Sequence, residues 1–135
     1  YGLDHPRGAA GRHGGLDLML ASPHPARCTA AAPGEVPAPD ADVLLAMIAA
    51  ARAEGRTRIA VVCHARQRNA IACGLLAAQH RLTRDGLELD ILPIEDALVP
   101  LISGTVPWEA IIAMPDLRGP VFALLTQTTV VPPVD

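Results

Sequence analysis

Apolar residues recur at helical spacing between Asp40 and Gly55. An aspartate can cap the amino end of a helix, and a glycine just beyond the last turn can end it. The segment is therefore predicted to form an amphipathic helix whose apolar stripe faces the core. Five residues form that stripe: Val43, Leu44, Met47, Ile48 and Ala51.

Three more segments are predicted to be helical. The first covers residues 66–82. Its inner face is formed by Ile71, Leu75, Ala78 and Leu82. A short helix is expected over residues 95–104, where Pro100 should interrupt it. The last helix covers residues 117–127, with Pro120 in the first turn, where a proline is tolerated.

Apolar runs rich in β-branched residues separate these helices. Residues 57–63 predict a buried strand, and residues 108–114 predict another. Residues 87–94 alternate in polarity and then run into Pro93, which is typical of an edge strand. Helices and strands thus alternate from residue 40 onwards, and this order predicts an α/β layered sandwich over residues 40–135.

The first 39 residues show no helical pattern. Residues 1–15 are rich in glycine and histidine, and residues 22–39 carry five prolines, so neither can form a regular core helix. Between them, residues 16–21 could form a short strand. We therefore predict an N-terminal arm over residues 1–39, extended or folded as a hairpin, in front of the core as part of a single domain. A disordered tail is the alternative.

Composition narrows the possible functions. All eleven cationic residues among the 135 are arginines, so Schiff-base chemistry and proton transfer by lysine are excluded for this chain. The net charge is −3 and no basic run is present, so no nucleic-acid partner is expected. No apolar stretch approaches about 18 residues, so no membrane span is expected. Three cysteines without CxxC spacing predict reduced thiols and a cytoplasmic protein.

Four blocks of the sequence carry a resemblance to a known family: residues 10–17, 55–76, 93–112 and 114–125. The second block keeps ten positions between His64 and Gly74. In this order and spacing, the blocks resemble the isocitrate and isopropylmalate dehydrogenases, which are β-decarboxylating dehydrogenases. The resemblance implies the fold of the smaller domain of that family, with a clasp arm, and a homodimer. The larger domain and its dinucleotide loop have no counterpart, so no NAD or other cofactor is expected.

The residues that the family uses for oxidative decarboxylation are mostly replaced. The reaction needs a divalent cation held by carboxylates. Of the family's three aspartate positions, one is matched by Glu95, and the others fall on Pro120 and Leu124. The position of the proton-transferring lysine falls on Ala65. The resemblance therefore implies neither a metal site nor dehydrogenase activity in this chain.

Four side chains remain as candidates for acid–base catalysis: His13, His64, Glu95 and Asp116. His13 falls on the position of the family's catalytic tyrosine, and an imidazole can transfer protons near neutral pH. A solvated histidine on a glycine-rich arm is the alternative. His64 is expected to hold the strand-to-helix turn, with catalysis as the alternative. A Cys63–His64 dyad is not expected, because successive strand residues face opposite sides.

Three arginines are candidates for ligand binding: Arg66, Arg68 and Arg118. Arg66 and Arg68 fall in the first turn of a predicted helix, where free N–H groups can join them in holding an anion. Because the helix dipole disfavours cations there, a solvated face is the alternative. Asp116 and Arg118 fall where the family has cleft residues, and surface ion pairing is the alternative for both.

Two functions follow from these observations. The first is a stand-alone, catalytically inactive relative that serves as a homodimeric binding or accessory module for a small anionic or carrier-linked ligand. The second is an enzyme that reuses the scaffold for NAD- and metal-independent hydrolysis, dehydration or cyclisation. A fragment of a full dehydrogenase is disfavoured by the replaced residues. The alanine-rich residues 70–79 are the expected contact with a second copy.

Overall fold

The computed structural model of the chain describes residues 2–4, 18–30, 34 and 36–130; only the backbone is described for 2–4 and 127–130. The strands are β1 (Gly2–Asp4), β2 (Met19–Ser22), β3 (Cys28–Thr29), β4 (Ala38–Pro39), β5 (Arg58–Cys63), β6 (Glu88–Pro93) and β7 (Ala110–Ala113). The α-helices are α1 (Ala41–Ala53), α2 (Ala65–Arg84), α3 (Ile94–Ser103) and α4 (Arg118–Val130). A single turn of 3₁₀ helix, Pro25–Arg27, lies between β2 and β3.

Five of the strands form one sheet in the order β1-β2-β7-β5-β6. The four strands from β2 to β6 run parallel, and β1 pairs antiparallel with β2 at one edge. The other two strands, β3 and β4, pair with each other as a short antiparallel ribbon, which we call the β3–β4 ribbon. The predicted α/β class is confirmed, and β6 is the edge strand that its sequence pattern indicates.

Helices cover both faces of the sheet. Helix α1 packs on α2, and α3 packs on α4. Helix α2 connects β5 to its neighbour β6 at the edge of the sheet. Helix α3 then connects β6 to β7, which lies on the other side of β5. Right-handed crossovers that run in opposite directions place their helices on opposite faces. Helices α2 and α4, which directly follow β5 and β7, therefore lie on opposite sides of the sheet.

The core consists of the apolar runs that the sequence marks. All residues of β7, and all of β5 except Arg58, are buried, as expected for parallel strands covered on both faces. The five predicted stripe residues of α1 are all buried, and so are the four predicted inner-face residues of α2. Because helical spacing is a local property, it predicts these faces correctly.

The short strand predicted near residues 16–21 is present as Met19–Ser22, and it is a buried strand of the main sheet with β7 as its parallel partner. One expectation differs from the structure: Pro100 lies inside α3 without interrupting it. The helix ends instead at Gly104, in the left-handed conformation at φ 79°. His13 lies outside the described residues, so its predicted role is untested.

Within the part of the chain that the structure describes, no helix is both long and apolar enough to cross a membrane.

At the amino ends of the parallel strands, Glu109 connects two neighbouring segments. Its Oε1 accepts hydrogen bonds from the Thr57 N–H at 2.8 Å, the Thr57 hydroxyl at 3.1 Å and the Arg58 N–H at 3.3 Å. The hydrogen bond from the Thr57 backbone is the main reason that the pKa of Glu109 lies below its usual range.

Glu109→Gln is expected to make the protein less stable at neutral pH and less sensitive to acid. A lowered folded-state pKa stabilises the fold above the unfolded-state pKa, and this stabilisation disappears as the pH falls through the folded-state pKa. We expect a loss of about 0.5–1 kcal/mol at pH 7, because the carboxylate is solvent-exposed. Urea unfolding between pH 7 and pH 3 measures this change. Glu88→Gln, which removes the exposed partner of Arg58, is the control; equal pH profiles for the two variants would refute the assignment.

Candidate functional site

The carboxyl ends of β5 and β7 form a topological switch point of the sheet, which we call the crevice. These strands are parallel neighbours, yet the chain leaves them in opposite directions, into α2 on one face and α4 on the other. Open parallel sheets bind ligands at such a switch point, outside the carboxyl ends of the strands. The loops after β5 and β7 are therefore where a functional site is most expected.

His64 and Asp116 meet at this crevice. His64 follows β5 directly and caps α2, whereas Asp116 lies in the turn between β7 and α4. The His64 Nε2 is 2.5 Å from the Asp116 Oδ2, and the side chains are 35% and 66% exposed. A carboxylate at this distance orients the imidazole. Two of the four predicted acid–base residues are thus brought together, although 52 positions separate them.

The side chain of Gln67 holds the backbone of His64 in place. It is buried at 3% exposure, and its Oε1 accepts a hydrogen bond from the His64 N–H at 2.9 Å. Its Nε2 donates to the Pro37 carbonyl at 2.6 Å. One amide side chain therefore links the first turn of α2, the residue that caps it and the approach to β4. Sequence reasoning missed this role, although a polar residue three positions after a helix cap is the capping-box signature.

Ser22 connects a third strand to the crevice. It ends β2, is buried, and donates from its hydroxyl to the Ala113 carbonyl at 2.8 Å. This bond closes the carboxyl end of β2 onto the carboxyl end of β7, just before the turn that carries Asp116. The sequence gives no clear signal for this contact, since its partners are 91 positions apart.

The other predicted site residues lie around the crevice or farther away. Arg66 is exposed in the first turn of α2, and Arg118 is the first residue of α4. Arg68 points toward the sheet edge, where its Nε donates to the Ile91 carbonyl at 3.1 Å. Glu95 is exposed in the first turn of α3 and makes no hydrogen bond or ion pair with the residues described. The structure therefore does not join Glu95 or Arg68 to the His64–Asp116 pair.

All three cysteines are free. Burial raises the pKa of Cys63 to about 11, and its thiol lies 3.6 Å from the Leu92 carbonyl. Cys63 is therefore a poor nucleophile that is directed toward β6. The pKa of Cys28, on the β3–β4 ribbon, is also raised, first by burial and then by the negative charge of Asp116. Cys28 is thus close enough to the crevice for the charge of Asp116 to affect its thiol.

Two surface cavities lie beside α2. One of about 270 Å³ is bounded by the β3–β4 ribbon and the amino end of α1. The other, of about 420 Å³, follows the outer edge of β6. Neither is lined by His64 or Asp116. Among the described residues, no group of three or more histidine, cysteine, aspartate or glutamate side chains is placed to hold a metal ion.

Comparison with protein-family models gives no match for this chain, and comparison with curated proteins gives no relative. Function therefore has to be inferred from the fold and from the side chains at the crevice. Three features there could contribute to function: the imidazole–carboxylate contact, the exposed Arg66 and the amino end of α2.

Proposed function

We propose that the protein is a homodimeric relative of the β-decarboxylating dehydrogenases that lacks dehydrogenase activity and serves as a binding or accessory module. Its ligand is a small anion or a carrier-linked anionic intermediate. The observation that carries this proposal is the 2.5 Å contact between His64 and Asp116. In this contact the carboxylate beside the switch point pairs with an imidazole of the same chain.

The residues beside this pair support the loss of dehydrogenase chemistry. Ala65, at the position where the resemblance expects a proton-transferring lysine, is exposed and carries only a methyl group. Pro120 is exposed and Leu124 is half-buried at the two positions where metal-binding aspartates are expected. Neither side chain offers an oxygen to a divalent cation.

Arg66 and the amino end of α2 support an anionic ligand. The guanidinium of Arg66 is exposed, two positions after His64 in the chain. Helix α2 is 20 residues long, and its amino end carries partial positive charge and N–H groups that no helical carbonyl accepts. These two features favour an anion over a cation at this end of the helix.

Exposed apolar side chains support a homodimer. Val99 and Ile102 on α3 are 72% and 52% exposed, and Phe122 on the adjacent α4 is 38% exposed. We call these three residues the α3–α4 patch. Apolar surface of this kind is characteristic of contact surfaces, and a two-fold pair is the commonest homo-oligomer. The alternative contact is the alanine-rich face of α2, where Leu76 is 58% exposed.

The His64–Asp116 contact also favours the second candidate function. A histidine oriented by a carboxylate is a common general base, so hydrolysis, dehydration or cyclisation without NAD or a metal is the competing proposal. Such an enzyme needs a further acid, base or nucleophile at the pair. Glu95 makes no hydrogen bond or ion pair to either residue within the described chain, so the binding module is the better-supported function.

Thermal shift tests the proposed binding module against dehydrogenase activity. Malonate or phosphate should raise the melting temperature; an anion at ten times its Kd stabilises by about 1.4 kcal/mol. Arg66→Gln should weaken this effect, and Arg84→Gln, in the last turn of the same helix, should not. NAD together with Mg²⁺ should give no shift, and a clear shift with both would overturn the proposal in favour of dehydrogenase activity.

A further inference from the structure

We propose that the cavity along the outer edge of β6 binds a free basic α-amino acid, such as arginine or lysine. The cavity is lined by residues of three elements: α2, β6 and α3. It lies at the edge of the sheet, and neither His64 nor Asp116 lines it. The inference therefore goes beyond the proposed function, which places an anionic ligand at the crevice.

The cavity has the size and the apolar lining of a small-molecule site. Its volume is about 420 Å³, whereas ligand sites in proteins usually enclose about 300–1,000 Å³. Ala72, Leu89 and Leu92 supply apolar lining for the carbon chain of a ligand. The cavity beside the β3–β4 ribbon is smaller, about 270 Å³, and Asp40 is the only charged group among its described lining residues.

Charges of both signs line the cavity at β6 without neutralising each other. Arg68 contributes a guanidinium, and Asp90 and Asp96 contribute carboxylates. Within the residues that the structure describes, neither acid forms a hydrogen bond or an ion pair with Arg68. Opposite charges that share a cavity without pairing are complementary to a ligand that carries both signs itself.

Two of the three charged groups are held in place by the scaffold. The Arg68 Nε donates to the Ile91 carbonyl at 3.1 Å, and its two Nη groups remain open to a ligand. The Asp90 Oδ2 accepts from the Nε1 of Trp108 at 3.0 Å, and its other oxygen remains open. Trp108 is 8% exposed, so this carboxylate is anchored to the core. Groups that are positioned before the ligand arrives lose less conformational entropy on binding.

The balance of charges indicates the ligand class. The carboxylates in the lining outnumber the guanidinium, and a basic amino acid has the complementary set of charges. Its carboxylate can pair with the planar guanidinium of Arg68 through two hydrogen bonds. Its α-ammonium and its side-chain cation can then meet Asp90 and Asp96. A neutral amino acid would leave one of these acids without a partner, and a polyamine would oppose a cation to Arg68.

Isothermal titration calorimetry of the full chain with L-arginine tests the proposal, and saturable binding is expected. Three analogues each lack one charged group: agmatine lacks the carboxylate, L-citrulline the side-chain charge, and N-acetyl-L-arginine the α-ammonium. Each should bind at least about tenfold more weakly than L-arginine, which is the usual contribution of a charged hydrogen bond. No binding of L-arginine or L-lysine would refute the site. Equal binding of N-acetyl-L-arginine would refute a free amino acid and indicate the last residue of a peptide.

Charge-removing variants test the position of the site. Arg68→Gln and Asp96→Asn should each weaken L-arginine binding by about tenfold. Asp96 is exposed and has no hydrogen bond or ion pair within the described chain, so its replacement leaves the fold intact. Arg81→Gln and Asp85→Asn remove the same charges at exposed positions outside the cavity, and affinity should stay unchanged. Equal losses in the control variants would show attraction by overall charge and refute the site.

Trp108 provides a second readout, because it is the single tryptophan of the chain. Its indole N–H is bonded to Asp90, so a ligand cation on that carboxylate should change the intrinsic fluorescence. The change should saturate at the same L-arginine concentrations as the calorimetric signal. Fluorescence that stays constant while calorimetry shows saturation would contradict binding at Asp90.

Discussion

Replacing Val99 and Ile102 together by aspartate is expected to abolish the proposed homodimer. These side chains are the most exposed members of the α3–α4 patch, and they lie three positions apart on one face of α3. In a two-fold pair, each substitution would place charges in an apolar contact twice and oppose like charges across the axis. We expect dimer affinity to fall by about 100-fold or more, measured by analytical ultracentrifugation.

Leu76→Asp is the matched control for this experiment. Leu76 is also an exposed leucine-sized apolar residue on a helix, but α2 packs with α1 rather than with α3 or α4. If dimerisation uses the α3–α4 patch, Leu76→Asp should leave the dimer intact. A monomer produced by Leu76→Asp, with an unaffected Val99 and Ile102 double variant, would move the interface to the alanine-rich face of α2. A native protein that is monomeric at all concentrations would refute the homodimer.

Gln67→Ala is expected to destabilise the fold by about 2–3 kcal/mol. The substitution removes the acceptor of the His64 N–H and the donor to the Pro37 carbonyl, and it does so at a buried position. Both hydrogen bonds are partly buried, so leaving their backbone groups without partners costs more than the bonds themselves contribute. Urea unfolding gives the free energy, and hydrogen exchange at the His64 amide reports the local effect, which should be faster exchange.

Asn69→Ala provides the comparison for Gln67→Ala. Asn69 is an exposed amide on the same helix, so its replacement should leave stability unchanged or raise it slightly, because alanine has the higher helix propensity. Gln67→Ala would lose its assigned role if it cost no more than Asn69→Ala. Equal exchange rates for the His64 amide in the native protein and Gln67→Ala would contradict the assignment in the same way.

The helices and the central strands could be predicted because their signals are local. The spacing of Val43 and Met47, or of Ile71 and Leu75, fixes which helix face is buried without reference to any other segment. A short strand over residues 16–21 is also predicted from its apolar side chains, but the prolines and glycines around it place it in an arm. Its place in the sheet depends on pairing with β7, about 90 positions away in the chain, and no local pattern contains that information.

The residues of the candidate site could likewise be predicted from local sequence, but their contact could not. Both His64 and Asp116 are predicted site residues, because His64 ends an apolar strand and Asp116 falls at a cleft position of the family that the sequence resembles. Their contact depends on β5 and β7 being neighbours, which follows from the order of strands in the sheet. Arg68 is predicted from its place in the first turn of a helix, and Glu95 from its match to a carboxylate position of that family. In the structure they belong to the side of the sheet where β6 ends, since β6 lies beyond β5.

The Arg68 contact has a consequence for how this protein can assemble. The Glu88 N–H donates to the Thr57 carbonyl, so alternate residues of β6 face β5 and the peptide groups of Leu89, Ile91 and Pro93 face outward. Proline has no N–H, and the Ile91 carbonyl is already occupied by a guanidinium. The outer edge of β6 therefore offers too few free N–H and C=O groups to pair fully with a strand of another molecule. This discourages growth of the sheet into fibrils and leaves the helical surfaces for association between molecules.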